Sequence, residues 1–198
     1  MSATTQRKRM SRADRRLALL DAAAELLRGK DPVPLSFEAI AAGAGVSATL
    51  PYKYFDSIDE VANELYRRLV GEIDDETDRI LADRSRSLDD KLRDSILLWC
   101  DMLRRDGLLL LRLADDAAHP SLRKVIERRR DRAIEVWAAE LSTQFPLDTA
   151  TARLLAASIT AGSTAVLRRW IRDRLDRDDM VETFVRMARG QIEAVATA

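Results

Sequence analysis

Phe37-Glu38-Ala39-Ile40-Ala41-Ala42-Gly43-Ala44-Gly45-Val46-Ser47-Ala48-Thr49-Leu50-Pro51-Tyr52-Lys53-Tyr54-Phe55 holds two short helical patterns on either side of a glycine turn. Ser36 stands before the first as an N-cap, and Glu38 falls in its first turn, where a negative charge is favourable. Phe37, Ile40, Ala41 and Ala44 recur at helical spacing and so share one apolar face. Gly43 and Gly45 bracket the turn. Ser47 is placed to cap a second short helix, in which Pro51 is the fourth residue and removes about one intrahelical hydrogen bond. The stretch 36–55 therefore reads as a helix-turn-helix with Phe37, Ile40 and Phe55 in its core.

Outward from this unit the chain is helical throughout. On the N-terminal side, Ser11 and Asp14 have capping-box spacing. Leu17, Leu20, Ala24 and Leu27 then form a stripe that Gly29 and the Pro32/Pro34 pair bring to an end. On the C-terminal side, Ser57 and Glu60 repeat the capping box before Ile58, Val61, Leu65, Leu69 and Ile73. Ser87 and Asp90 do so again before Leu92, Ile96, Trp99 and Leu103. Gly107 interrupts, leaving 108–113 as a short apolar segment. His119-Pro120 opens a helix that runs to about Gln144 and is stopped by Pro146. Residues 148–175 form a long helix rich in small side chains. Residues 178–196 form the last, with Val181, Phe184, Ala188, Ile192 and Val195 as its stripe. The expected fold is all-α, about nine helices, in three parts: a disordered basic arm over 1–11, a helix-turn-helix domain over 12–72, and a helical domain over 73–198.

Composition narrows the class. The 198 residues are long enough for one large or two modest domains. Gly and Pro are scarce and aromatics few, as in helical proteins. No run of 18 apolar residues occurs, so no membrane span is expected, and the basic N-terminus lacks the apolar stretch of a signal peptide. The single Cys100 cannot form an internal disulfide and suits a reducing cytoplasm. Net charge is zero, yet residues 1–55 hold nine Lys/Arg against five Asp/Glu. That asymmetry points to an anionic partner at the positive end.

At Ile40-Ala41, Ala44-Gly45-Val46-Ser47, Tyr52 and Tyr54-Phe55 the chain resembles the tetracycline-repressor (TetR) family of bacterial transcription regulators. The resemblance is strong over roughly 12–72. It implies a DNA-binding N-terminal domain, a C-terminal domain that binds a small-molecule effector, and a homodimer on an inverted-repeat operator of double-stranded DNA. Two positions depart from the family pattern. Thr49, Leu50 and Pro51 stand where the family usually has a small residue, Thr and Leu before the Tyr. Ile58 stands where many members carry a phosphate-gripping Lys.

The DNA-binding candidates are Arg12, Ser36, Ser47, Ala48, Thr49, Leu50, Pro51, Tyr52, Lys53 and Ser57. Thr49 offers a hydroxyl to a base edge or phosphate, Leu50 a contact for a thymine methyl, and Lys53 a cation for a phosphate or guanine. Tyr52 resembles the family tyrosine that meets the sugar-phosphate backbone. Arg7, Lys8 and Arg9, with Arg15 and Arg16, extend the basic arm toward phosphates or a neighbouring minor groove. By the resemblance, the effector pocket draws on Trp99, Met102, Leu103, Leu109, Leu113, Ile126, Ile134, Trp137, Ile159 and Ser163. Few polar groups converge there, which favours an apolar or aromatic effector. The dimer interface draws on Ala157, Ala161, Ala165, Val181, Phe184, Ala188 and Ile192, in the last two helices.

Enzymatic chemistry has no foothold. His119 is the only histidine, so Cys100 has no second imidazole to pair with, and no metal constellation or phosphate-cradling glycine loop is present. The expected protein is a cytoplasmic transcription regulator, a repressor by family habit, with no cofactor, metal or membrane attachment. An all-helical dimer that binds protein through its N-terminal unit is the alternative.

Overall fold

The computed structural model describes residues 10–29, 34–113 and 120–196. Among them are seven α-helices, one 3-10 turn and no strand: α1 (Arg12–Arg28), α2 (Phe37–Gly43), the 3-10 turn Pro51–Lys53, α3 (Ile58–Ala82), α4 (Leu88–Leu113), α5 (Pro120–Gln144), α6 (Thr149–Asp173) and α7 (Arg177–Ala196). The all-α expectation holds, but the expected nine helices become seven. Two local causes account for the difference. The second helix of the helix-turn-helix contracts to a 3-10 turn. Gly107 does not end a helix; α4 continues through it with a kink at Asp106 (φ −129°, ψ 16°).

The described chain divides into two compact units. One comprises residues up to Arg67 with Leu108–Leu122; the other comprises Arg68–Gly107 with Arg123–Ala198. The change of unit inside α4 falls at the Asp106 kink. Residues 1–9, which contain Arg7, Lys8 and Arg9, lie outside the described residues, as do Pro32 and His119.

In the N-terminal unit, α1 starts at the anticipated capping box. Ser11 Oγ accepts from the Asp14 N–H at 3.0 Å, and Asp14 Oδ2 accepts from the Ser11 N–H at 3.2 Å. Its buried face is Leu19, Leu20, Ala23, Ala24 and Leu27. Leu17, read as part of the stripe, is exposed. The buried arc is centred one residue later, because Leu19 and Ala23 also face the core. Phe37, Ile40 and Ala41 of α2 join this core with Phe55, Val61, Ala62, Leu65 and Tyr66. Full burial of each large apolar side chain stabilises the unit by about 1.5–3 kcal/mol.

The turn after α2 is a Schellman motif. The Val46 N–H reaches Ala41 O at 3.0 Å and the Gly45 N–H reaches Ala42 O at 3.1 Å, with Gly45 at φ +64°. Only a residue without Cβ occupies that left-handed position without cost. Packing does not demand a glycine at 43: a Cβ there would meet Ala22 Cβ of α1 at 3.7 Å, an ordinary contact.

In the C-terminal unit, one core gathers Leu92, Ile96 and Cys100 of α4, Trp137, Ala138 and Leu141 of α5, Ala152, Leu155, Ala156 and Ile159 of α6, and Val181, Phe184, Ala188 and Ile192 of α7. Lys91 is buried. Its Nζ donates to Leu81 O at 3.0 Å, capping α3, and to Glu140 Oε1 at 2.7 Å. A buried ammonium is tolerable because its partners are a carboxylate and a carbonyl. Helix α6 is long and apolar enough by composition to cross a membrane. It carries Arg153, however, ion-paired to Glu135 of α5 at 2.9 Å, and its Ala152, Leu155, Ala156, Ile159 and Leu167 are buried in the core. Arg174 ends it in the left-handed conformation (φ 52°, ψ 43°).

The two left-handed positions make opposite predictions. At Gly45 an added Cβ meets no atom within 4 Å, so Gly45→Ala is expected to cost only the backbone preference, about 1–2 kcal/mol. Arg174→Gly relieves the same preference and is expected to stabilise by about 0.5–1 kcal/mol. Equilibrium chemical denaturation of the two variants checks both signs.

Candidate nucleic-acid interface

The residues after the glycine turn form an exposed row. Ser47, Ala48, Thr49, Tyr52 and Lys53 are exposed, Leu50 is half-buried, and Pro51 is fully buried. Pro51 therefore leaves the set of contact candidates and becomes the anchor that seats the row. The anticipated serine-capped helix is absent for a specific reason. An α-helix would need the residue-51 N–H to donate to Ser47 O, and proline has none. Ser47 O instead accepts from the Leu50 N–H at 2.9 Å. The Lys53 N–H reaches Leu50 O at 3.0 Å, and the Tyr54 N–H reaches Pro51 O at 2.9 Å. These are three-residue steps, a tighter spiral. The Ser47 hydroxyl lies 3.4 Å from Thr49 Oγ1 and caps nothing.

Three other candidates flank the row. Arg12 is exposed, with Nη2 at 3.4 Å from Lys53 O and its guanidinium 5.6 Å from the centre of the Tyr54 ring. Ser36 Oγ accepts from the Ala39 N–H at 3.1 Å, capping α2. Ser57 Oγ accepts from the Glu60 N–H at 3.1 Å at the start of α3. The capping box there is incomplete, because Glu60 Oε2 accepts from the Asp56 N–H at 2.7 Å and not from Ser57.

Arg16, read as an arm residue able to reach phosphates, is committed inside the unit. Its Nε donates to both carboxylate oxygens of Glu64, at 3.2 and 3.1 Å, and its Nη2 to Glu60 Oε1 at 2.7 Å. Its Nη1 donates to Tyr54 O. The guanidinium also lies over the Phe55 ring, 4.2 Å from its centre. One side chain of α1 thus fixes the end of the exposed row and the first two turns of α3. The Glu64 carboxylate chiefly raises the Arg16 pKa above its ordinary value. The Arg16 hydrogen bond, then the Asp56 N–H, hold the Glu60 carboxyl below the ordinary carboxylate range.

Tyr52 has a polar partner on the same face. Its hydroxyl donates to Glu38 Oε1 at 3.0 Å, and its ring meets Phe37 edge-on, centroids 4.5 Å apart at 72°. The bond raises the Tyr52 pKa. Glu38 is lowered, first by the backbone N–H of its own residue, then by the Tyr52 hydroxyl, with the Ser36 hydroxyl adding less.

The effector candidates divide between the units. Leu109 and Leu113 are buried in the N-terminal unit. Met102, Trp137 and Ile159 are buried in the C-terminal unit, and Trp99, Leu103, Ile126, Ile134 and Ser163 are half-buried there. Arg129 stacks over Trp99 at 4.7 Å and pairs with Asp74 at 2.5 Å. The dimer candidates divide by exposure. Ala161 and Ala165 of α6 are exposed and Ala157 is half-buried. Val181, Phe184, Ala188 and Ile192 of α7 lie in the unit's own core and cannot also form a seam with another chain. The outward face of α7 carries Thr183, Met187, Gly190 and Ala194 instead. A stripe identifies a buried face but not what buries it, and here α6 and its neighbours do.

Cys100 is fully buried, and burial above all pushes its thiol up to about 11, which leaves it un-ionised at neutral pH. No metal-binding cluster of His, Cys, Asp and Glu occurs among the described residues.

Two partnerships on this face were not read from the sequence: Arg16 with Glu60 and Glu64, and Tyr52 with Glu38. The Glu60/Glu64 pair was a usable signal for Arg16, since i,i+4 carboxylates face one way and call for a shared cation. Glu38 offered no such signal, because its partner Tyr52 lies fourteen residues away across the turn.

Residues 19–65 match the family model described as bacterial regulatory proteins, tetR family. The whole fold is shared with solved regulators. A TetR-like transcriptional regulator from Rhodococcus sp. RHA1 aligns at TM-score 0.68 and 24% identity, over 91% of this chain and 96% of that one. A tetR-family regulator from Streptomyces coelicolor aligns at TM-score 0.72 and 20% identity, over 94% and 83%. The regulator FadR of Bacillus subtilis, solved in complex with stearoyl-CoA, aligns at TM-score 0.61 and 17% identity, over 91% and 97%. A search of curated proteins finds no match.

Arg16→Met should destabilise the N-terminal unit by about 2 kcal/mol, the worth of several charge-assisted hydrogen bonds partly screened by water. The depressed Glu60 pKa gives the pH sign. Its contribution is present above the ordinary carboxylate value of 4.5 and is lost as pH falls through the folded value. Denaturation midpoints between about pH 6 and 3 should therefore fall more steeply for the unaltered protein than for Arg16→Met.

Proposed function

We propose that this chain, whose residues 19–65 match the family model described as bacterial regulatory proteins, tetR family, is a DNA-binding transcription regulator and not an enzyme, and acts in the cytoplasm as a homodimeric, ligand-responsive repressor. The exposed row from Ser47 to Lys53, raised on buried Pro51 and locked by Arg16, is the observation that carries this reading. Each subunit inserts this row into the major groove of one half of an inverted repeat, the half-sites lying about one helical turn, 34–36 Å, apart. Lys53 meets a phosphate or a guanine, Thr49 a base edge or phosphate, and Tyr52 the sugar-phosphate backbone. Arg12, Ser36 and Ser57 flank the row, and the Ser57 and Ile58 backbone N–H groups at the start of α3 take the place of the absent lysine.

The dimer forms through α6 and α7, by a seam shifted from the one read in the sequence. Leu154 is 73% exposed and Met187 51%, and with Ala161, Ala165, Gly190 and Ala194 they leave an apolar, small-residue surface on these two helices. Such surfaces are favourable when paired with a copy of themselves. The effector enters the C-terminal domain among Trp99, Met102, Leu103, Ile134, Trp137 and Ile159. An apolar group suits that lining; the stearoyl chain of the stearoyl-CoA bound to the Bacillus subtilis FadR is of that kind, whereas its coenzyme A part is polar and charged. The effector acts by binding the DNA-competent and DNA-incompetent forms unequally.

In vitro selection from random duplexes should recover a palindrome, and affinity for it should fall by orders of magnitude between about 50 and 200 mM salt. Lys53→Ala should weaken binding about tenfold while sedimentation still shows a dimer. Leu154→Glu with Met187→Glu should yield folded monomers. Recovery of no sequence, with a salt-insensitive residual affinity, would favour the protein-binding alternative.

A further inference from the structure

A carboxylate is out of place on a surface that meets phosphates. Glu38 is exposed, sits on the same face as Tyr52 and Ser36, and makes no ion pair among the described residues. Its side chain instead accepts from the Tyr52 hydroxyl at 3.0 Å, across the turn. Tyr52, the aromatic residue of the row, is 59% exposed, and Phe37 meets its ring edge-on at 4.5 Å. The ring is therefore fixed, and the remaining freedom is where the hydroxyl proton points.

A tyrosine hydroxyl has one proton. While Glu38 accepts it, the oxygen presents only lone pairs to the outside, and an approaching phosphate finds acceptor facing acceptor. The adjacent carboxylate adds like-charge repulsion. We propose that Glu38 is a latch on the DNA-reading face: it holds the Tyr52 hydroxyl turned inward, and a backbone phosphate binds only by taking that hydrogen bond from the carboxylate. Glu38 is thus a positioning residue that acts through Tyr52 and sets the affinity threshold of the operator complex. This rests on the reading of the Ser47–Lys53 row as the duplex-binding surface. The lowered Glu38 and raised Tyr52 pKa values agree with a bond made to the ionised carboxylate.

Glu38→Gln separates the latch from simple charge. The glutamine carbonyl is a weaker, uncharged acceptor than the carboxylate, and the amide N–H can donate to the Tyr52 oxygen, so the tyrosine proton is released to a phosphate at lower cost. Glu38 is exposed in the first turn of α2, and Gln keeps the helix propensity there. The experiment compares the unaltered dimer, Glu38→Gln, Tyr52→Phe and the double variant on one selected duplex, at two salt concentrations. Glu38→Gln is expected to tighten binding about tenfold per dimer when Tyr52 is present, and no more than about threefold in the Tyr52→Phe background. Equal effects in both backgrounds would make Glu38 a repelling charge only and overturn the latch alone. Weaker binding by Glu38→Gln would also overturn it, since the carboxylate would then be aiding the contact. Absence of duplex binding by all four proteins would overturn the duplex-binding reading, and the latch with it.

Discussion

The N-terminal unit depends on where one guanidinium sits. Arg16 projects from α1 and binds Glu60, Glu64 and the Tyr54 carbonyl while covering the Phe55 ring. Without it, two carboxylates one turn apart would repel each other, and the end of the 3-10 turn would keep an unmet carbonyl. With it, α1, the exposed row and α3 share a common fixed point. Several short charge-assisted bonds to one planar group hold the backbone of the row more tightly than apolar contact alone would.

The row itself combines rigidity with reach. Gly45 supplies the left-handed turn, Pro51 is buried beneath, and Arg12 closes over the far end at Lys53 and Tyr54. The proline that denies Ser47 an α-helical bond also tightens the spiral, so Tyr52 and Lys53 both stay outward. The chemistry of the face is mixed. The cation of Lys53 and the hydroxyls of Ser47, Thr49 and Tyr52 share it with the Glu38 carboxylate.

The C-terminal unit follows different physics. Its centre is apolar, and its polar ties lie at helix ends and rims: Lys91 on Leu81 and Glu140, Arg93 on Glu182, Arg189 on Asp89. Helix α6 presents buried Ala152, Leu155, Ala156 and Ile159 on one side and exposed Leu154, Ala161 and Ala165 on another. A helix apolar on two faces has two surfaces to cover, and α7 covers one of them.

Local residue order determined the helical class, the caps at Ser11, Ser36 and Ser57, the glycine turn, and the boundaries near Gln144 and Thr149, because each depends on atoms within about four residues of one another. It also marked residues 36–55 as the chemically telling stretch. Tertiary structure alone decided that Pro51 is an anchor, that Arg16 is spent internally, that Val181, Phe184, Ala188 and Ile192 belong to their own chain's core, and that Tyr52 is held by Glu38. Periodicity specifies which side of a helix avoids water. The identity of the surface that meets that side, and the partner of a charge many residues distant, arise only when the helices pack.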